Sequence, residues 1–409
     1  MSEKSCCRRC YHENLVEFLD LGNQPLANNL LRPGDSFDDE PRFPLRVAVC
    51  PECWLVQITD IIPPVDLFED YLYFSSFSDA MLKHAKEAVQ QHITTGSLGT
   101  KSFAVEIASN DGYLLRNFVA SGIPCLGVEP AKNVAEVAVA AGIPTLCEFF
   151  GKNTAARVFK EHGPADIILG NNVFAHAPDI NDFIGGMAAL LKSDGRIALE
   201  FPYLGNFIDH IEFDTVYHEH VFYFSLLALT PAFERHGLEI FDVEILPIHG
   251  GSLRLYAGHA GAHPTTERLS TLAETERTAG VNTLEYYQSF SRRVTQLREQ
   301  LRELLFKLKA EGHSIAAYGA SAKGSTLLNY FNIGSETLDF VVDRSTYKQN
   351  RLTPGSHLTI LPPEELLARL PEYTLLLTWN FAEEILKQQD AYRIAGGKFI
   401  IPLPEPRIV

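Results

Sequence analysis

Nowhere in the 409 residues does an apolar run approach the ~20 residues that a membrane-spanning helix needs. The opening stretch, Met1 to Cys10, has no apolar core of the secretory kind. Both absences point to a cytoplasmic protein with reduced thiols and no membrane partner. Positive charge is also scarce: 35 Lys and Arg stand against 51 Asp and Glu, a net charge of -16. A surface of that sign repels a phosphate backbone, so nucleic acid is not an expected partner. A single small anionic ligand in a local pocket remains compatible with it. No His-Glu-x-x-His helix is present, which removes the commonest signature of a catalytic zinc.

What is present starts with size. A chain of this length that is 46% hydrophobic buries two or three domain cores. Five of its seven cysteines fall in the first 53 residues, four of them as the pairs Cys7-x-x-Cys10 and Cys50-x-x-Cys53. That spacing puts two thiolates on one tight turn, and two such turns complete a tetrahedral structural zinc site with no open position for water. Cys6 is an alternative to Cys7 as ligand, and a redox dithiol is the rival reading. Residues 1–60 carry six Lys and Arg against ten Asp and Glu, the wrong sign for a nucleic-acid finger.

From about residue 80, strands alternate with helices. Phe103–Ile107, Cys125–Val128, Pro144–Cys147, Ala165–Leu169 and Gly195–Glu200 read as strands, which argues a doubly wound α/β sheet. Ligands of such sheets bind at the carboxyl ends of the strands. That edge carries Glu106, Asn110, Asp111 and Gly112 around the first turn, Glu129 and Pro130 after the second strand, and Asn171 after the fourth. A carboxylate at the second position accepts the two ribose hydroxyls of a nucleoside. The first turn has one glycine rather than the three that admit a dinucleotide pyrophosphate. It therefore suits S-adenosylmethionine better than NAD.

Further on, His249-Gly250-Gly251 allows close backbone approach to a ligand or to a neighbouring strand. Apolar residues at 284, 287, 290, 294, 297, 301, 304 and 308 predict one long amphipathic helix ended at Gly312. A second α/β unit then begins. Ser321 and Lys323, at the start of its first helix, form either a diphosphate cradle or a plain turn. Trp379, at a later strand end, is placed to stack on a base or to pack in the core.

Taken in order, these motifs resemble those of the nucleotide-sugar C-methyltransferases, the dTDP-4-keto-deoxysugar 3-C-methyltransferases with an N-terminal zinc-binding domain. The resemblance rests on the four cysteines, Glu106-Ile-x-x-Asn110-Asp111-Gly112, Gly127-x-Glu129-Pro130, His176, Tyr217-x-Glu219-His220, Phe222 to Ser225, His249-Gly250-Gly251 and Tyr318-Gly319-Ala320. It spans nearly the whole chain. One departure is Ala108, where the family has glycine; a methyl there crowds the methionine part of the cofactor.

The resemblance implies a zinc-binding lobe over 1–70, a Rossmann-like class I methyltransferase domain over 71–245, and a Rossmann-like α/β domain for the nucleotide-sugar over 246–409. It implies S-adenosylmethionine as methyl donor and one structural zinc, in a monomer or small homo-oligomer. Carbon is methylated after a neighbouring ketone makes its proton removable, and histidine is the usual base. His220 is then the base, with Tyr217, Glu219 and His176 around the sugar and Tyr71 facing it. Glu219 is read as orienting the base and Tyr217 as bonding the oxyanion. In a regular strand Glu219 and His220 point to opposite faces, so the segment must bend. The rival enzyme is an NAD(P)-dependent nucleotide-sugar oxidoreductase, and the rival outside catalysis is a zinc-dependent binding protein.

Overall fold

Three sheets organise the computed structural model, which describes residues 6–68, 74–77, 79–247 and 250–409. The first is a meander of β1 (Val16–Pro25), β2 (Arg42–Val49) and β3 (Val56–Ile58), with one cysteine pair before β1 and the other between β2 and β3. Two residues from far along the chain, Phe222–Tyr223, pair with β3 and complete this sheet. The lobe therefore does not close on residues 1–70 alone.

The second sheet takes β4 (Ala104–Ile107), β5 (Cys125–Val128), β6 (Thr145–Leu146), β7 (Ala165–Asn171) and β8 (Leu191–Pro202). After β9 (Phe222–Tyr223) it adds β10 (Leu238–Leu246) and β11 (Ser252–His259). β4 and β5 are apolar runs buried along almost their whole length, as strands covered by helices on both faces must be. The spatial order is β10-β11-β8-β7-β4-β5-β6, with β11 antiparallel to both its neighbours. A reversed strand wedged between the fifth and sixth parallel strands departs from the 3-2-1-4-5-6 dinucleotide order. It is the arrangement expected of a class I methyltransferase. The boundary expected at 245/246 falls at the tip of the β10–β11 hairpin, and the sheet runs on to His259.

The third sheet holds β12 (Ile315–Tyr318), β13 (Val341–Val342), β14 (Ile360–Leu361), β15 (Tyr373–Leu376), β16 (Lys398–Ile401) and β17 (Arg407–Ile408). Its order is β14-β13-β12-β15-β16-β17, parallel except for β17. The predicted long helix spans Leu284–Ala310, followed by Gly312 at φ 88°. It buries Tyr287, Phe290, Val294, Leu297, Leu301, Leu305 and Leu308, each contributing about 1.5–3 kcal/mol. One hydrophobic core runs from Cys7 and Phe18 of the lobe, through Phe174, Phe201 and Phe224, to Phe290 and Phe331. The three units are thus packed through a shared interior.

Candidate active site

The two cysteine turns are built alike. The N–H of Tyr11 bonds the Cys7 carbonyl and that of Trp54 bonds the Cys50 carbonyl, each at 2.8 Å. Tyr11 and Trp54 both take left-handed backbone, with φ 64° and 60°. The sulfurs of Cys7, Cys10, Cys50 and Cys53 all lie within 4.8 Å of one another, with Cys7–Cys53 and Cys10–Cys50 at 3.5 Å. Tetrahedral zinc with ~2.3 Å bonds to sulfur sets sulfurs roughly 3.8 Å apart, so four thiolates in this array fit the ion. Cys6 is exposed and outside the cluster, which leaves Cys7 as the ligand. The middle domain clasps the first turn: Asn181 Nδ2 donates to the carbonyls of Arg8 and Arg9, and Arg235 donates to that of Arg9.

At the carboxyl ends of β4 and β5 the chain gathers carboxylates. Glu129 accepts the N–H of Asn110 at 2.9 Å and that of Ala131 at 2.8 Å. Asn110 and Asp111 accept N–H groups of Ser75 and Ser76, so a short segment closes over the turn. Gly112 is required where it stands: φ is 76°, and a Cβ would sit 2.7 Å from Ile143. Both carboxyl oxygens of Glu106, Asp111 Oδ1 and Asn171 Nδ2 are buried with no hydrogen-bond partner among the described residues. Burial, and then the nearby Glu129, Asp111 and Glu200, push the Glu106 carboxyl well above the usual range. A site rich in unsatisfied acceptors fits a ligand bearing an ammonium, a sulfonium and ribose hydroxyls, and repels a pyrophosphate. S-adenosylmethionine meets that description and NAD does not.

Two expected outcomes follow from this edge. A cationic ligand favours ionised Glu106, so binding expels a proton, and affinity for S-adenosylmethionine rises with pH as Glu106 titrates above the ordinary carboxylate range. Calorimetry in buffers of different ionisation heat reads that proton, which Glu106→Gln abolishes; identical heats in all buffers for the native protein count against it. Ala108 has φ 52°, a conformation that costs a non-glycine residue about 1–2 kcal/mol. Removing its methyl in Ala108→Gly should tighten S-adenosylmethionine roughly threefold to tenfold, about 1 kcal/mol. An unchanged dissociation constant shows that the methyl does not crowd the cofactor.

The segment after the short helix Leu204–Asp209 carries the candidate base. Residues 217–220 form a turn, closed by His220 N–H on the Tyr217 carbonyl at 2.9 Å, so the segment bends as the alternation of faces required. The Tyr217 hydroxyl lies 2.7 Å from His220 Nε2, while His220 Nδ1 lies 2.8 Å from the Thr215 carbonyl. A carbonyl only accepts, so Nδ1 carries the hydrogen and Nε2 is the lone pair. His176 is 5.0 Å away, ring centre to ring centre. Its Nδ1 donates to the Glu219 carbonyl at 2.6 Å, and burial lowers its pKa.

Glu219 does not orient His220, as the sequence reading had it; the Thr215 carbonyl does. The Glu219 side chain turns to the lobe, where Asn28 Nδ2 donates to Oε1 at 2.6 Å. Burial, opposed by that bond, pushes its carboxyl up to about 7. Asn28 and Thr215 were missed from sequence. A backbone carbonyl has no residue signature, and Asn28 is 191 positions from its partner.

Ser321 and Lys323, read as a diphosphate cradle or a plain turn, both face protein. Ser321 caps its own helix, Ala322–Phe331, by accepting the N–H of Gly324. Ala27, Leu30 and Pro354 pack against the turn and leave a void of about 10 Å³ beside it. Lys323 turns inward, with Nζ 4.0 Å from Glu212 Oε2 and 5.0 Å from the Trp379 ring centre. That face of Trp379 is therefore covered, and its indole N–H donates to Asp214. Gly250 approaches protein rather than an open pocket, since a Cβ would meet Glu212 Oε1 at 2.7 Å. Tyr71 and His249 lie outside the described residues. Among the described residues no helix is long and apolar enough to cross a membrane.

Three family descriptions match in succession: a zinc binding domain over residues 7–68, a methyltransferase domain over 81–243 and a C-methyltransferase C-terminal domain over 247–404. The C-methyltransferase NovU of Streptomyces niveus is 37% identical over 404 residues, which is 98% of this chain and 96% of that one. Among solved structures, magnesium protoporphyrin IX methyltransferase of Synechocystis is 13% identical, with a TM-score of 0.34 over 44% of this chain and 79% of its own. A methyltransferase of Anabaena variabilis is 17% identical, with a TM-score of 0.34 over 43% and 85%. With four thiolates set for zinc, a reversed strand in the central sheet and that continuous likeness, the chain belongs to the C-methyltransferase family and is an S-adenosylmethionine-dependent methyltransferase.

Proposed function

We propose that the enzyme methylates C3 of a nucleotide-linked 4-keto-deoxysugar, with dTDP as the nucleotide. The family resemblance supports the choice of sugar, nucleotide and ring position. The observation that carries the chemistry is the Nδ1 bond of His220 to the Thr215 carbonyl, which leaves Nε2 as a lone pair beside the Tyr217 hydroxyl. A neutral imidazole in that tautomer removes a proton from the carbon next to the ketone. Tyr217 guards the lone pair and then passes its hydrogen bond to the oxygen that gains charge as the enolate forms. His176, kept neutral by burial, adds an uncharged imidazole beside the base. Asn28 and Glu219 close the wall on the lobe side. When bound, S-adenosylmethionine supplies an electrophilic methyl group, held by Glu106, Asp111, Glu129 and Asn171. On this reading the enzyme works in the cytoplasm, where thiols stay reduced for the metal.

The test is a panel of nucleotide 4-ketosugars incubated with enzyme and methyl donor. The expected result is a mass gain of one methyl, assigned by NMR to a new C–C bond at C3. A methyl found on oxygen, or no transfer to any member, overturns the proposal.

A further inference from the structure

Between the base-bearing turn and the C-terminal sheet lies a buried polar cluster that the chemistry above does not use. Asp214 is fully buried in the turn Phe213–Thr215, one residue before the carbonyl that holds His220. Its Oδ2 accepts the Trp379 indole N–H at 2.7 Å, across 165 positions of sequence. From the helix Ala322–Phe331, Lys323 Nζ lies 5.0 Å above the same indole ring. One turn further along that helix, the Thr326 hydroxyl donates to the Val216 carbonyl at 2.9 Å. Phe213 stacks on Phe331 at 4.9 Å between ring centres. The C-terminal unit therefore grips residues 213, 214 and 216, on both sides of Thr215.

We propose that Trp379, through its hydrogen bond to Asp214, is a positioning residue for the base: it fixes the turn whose Thr215 carbonyl selects the Nδ1–H tautomer of His220. The proposal rests on the reading of His220 as the base. The physical reason is direct. An imidazole in water exchanges its single proton between the two nitrogens, and a fixed acceptor at Nδ1 keeps Nε2 proton-free. Thr215 lies in one short turn, closed by its own N–H on the Glu212 carbonyl and by Val216 N–H on the Phe213 carbonyl; the contacts of its neighbours tie that turn to the C-terminal unit. Asp214 supplies a fully buried carboxylate acceptor in that turn, and the indole N–H, a pure donor, matches it.

The test uses full-length enzyme with ring-¹⁵N histidine, the signal of residue 220 being identified by its absence in His220→Asn. Trp379→Phe keeps the ring under Lys323 and removes the N–H. It is expected to lower kcat roughly 10- to 100-fold, the scale of a misplaced catalytic group. KM for donor and sugar stays within about twofold, and the His220 signal changes from one tautomer to a mixture. Asp214→Asn still offers an oxygen to the indole and stays close to native, whereas Asp214→Leu behaves like Trp379→Phe and serves if that variant fails to fold. A folded Trp379→Phe enzyme with native kcat, or one whose kcat falls while the tautomer is unchanged, overturns the proposal. Exchange of the sugar α-proton with solvent separates the two readings. If His220→Asn keeps native exchange, the base reading has failed. If His220→Asn loses exchange while both Trp379→Phe and Asp214→Leu keep it, only the positioning role has failed.

Discussion

Replacing His220 with asparagine is expected to lower kcat by roughly 10²–10⁴-fold, the range for loss of a general base. Asparagine retains a donor for the Thr215 carbonyl and so preserves the turn, but it has no atom to stand for Nε2. Calorimetry should therefore find native affinity for S-adenosylmethionine, because Glu106, Asp111 and Glu129 belong to a different sheet edge. Mass spectrometry should find no exchange of the sugar α-proton in heavy water. Turnover within a few-fold of native would remove His220 from the chemistry. The loss is predicted to be large because carbon acids react only after deprotonation; no amount of positioning of the methyl donor substitutes for the enolate.

The second large effect concerns the metal. Stripping zinc with a strong chelator, or changing Cys50 to serine, is expected to abolish turnover and to lower the melting temperature sharply. Binding of structural zinc to zinc-finger peptides is worth about 10–16 kcal/mol, comparable to the whole stability of a typical domain. Four coordinating thiolates leave no position for water, so the metal contributes through folding alone. Its loss still reaches the active site. The Asn28 side chain that bonds Glu219 sits in the turn after β1, and Phe222–Tyr223, two residues past His220, form an edge strand of the lobe's sheet. Elemental analysis before and after treatment should give one zinc per chain falling to none. Full activity in the stripped, folded protein would contradict this account.

Much of the fold is legible in the chain because it depends on local pattern. Apolar runs of four or five residues ending in Asn-Asp-Gly or Glu-Pro marked β4 and β5 at nearly their observed limits. Apolar spacing of three and four marked the helix Leu284–Ala310, and a glycine marked its end. The zinc turns were legible for the same reason: two thiolates three residues apart are a local device. Pairing across long separations was not legible. The completion of the lobe by Phe222–Tyr223 and the reach of the central sheet to His259 depend on hydrogen bonds between segments that carry no mark of their partners.

The candidate site divides along the same line. The family resemblance marked His220, Tyr217 and Glu106, and the residue types of the first two, a neutral-range base and a phenol, suit the chemistry. What each does was decided by neighbours in space. Glu219 looked like the partner of the adjacent histidine, yet the turn sends its side chain to Asn28 and hands His220 to a main-chain carbonyl. Lys323 looked like an open cation for phosphate, yet burial beside Glu212 and Trp379 turns it into an internal counter-charge. Side-chain chemistry is written in the sequence one residue at a time. Hydrogen-bond partnership and burial belong to the folded chain, since they depend on which distant backbone or carboxylate arrives alongside.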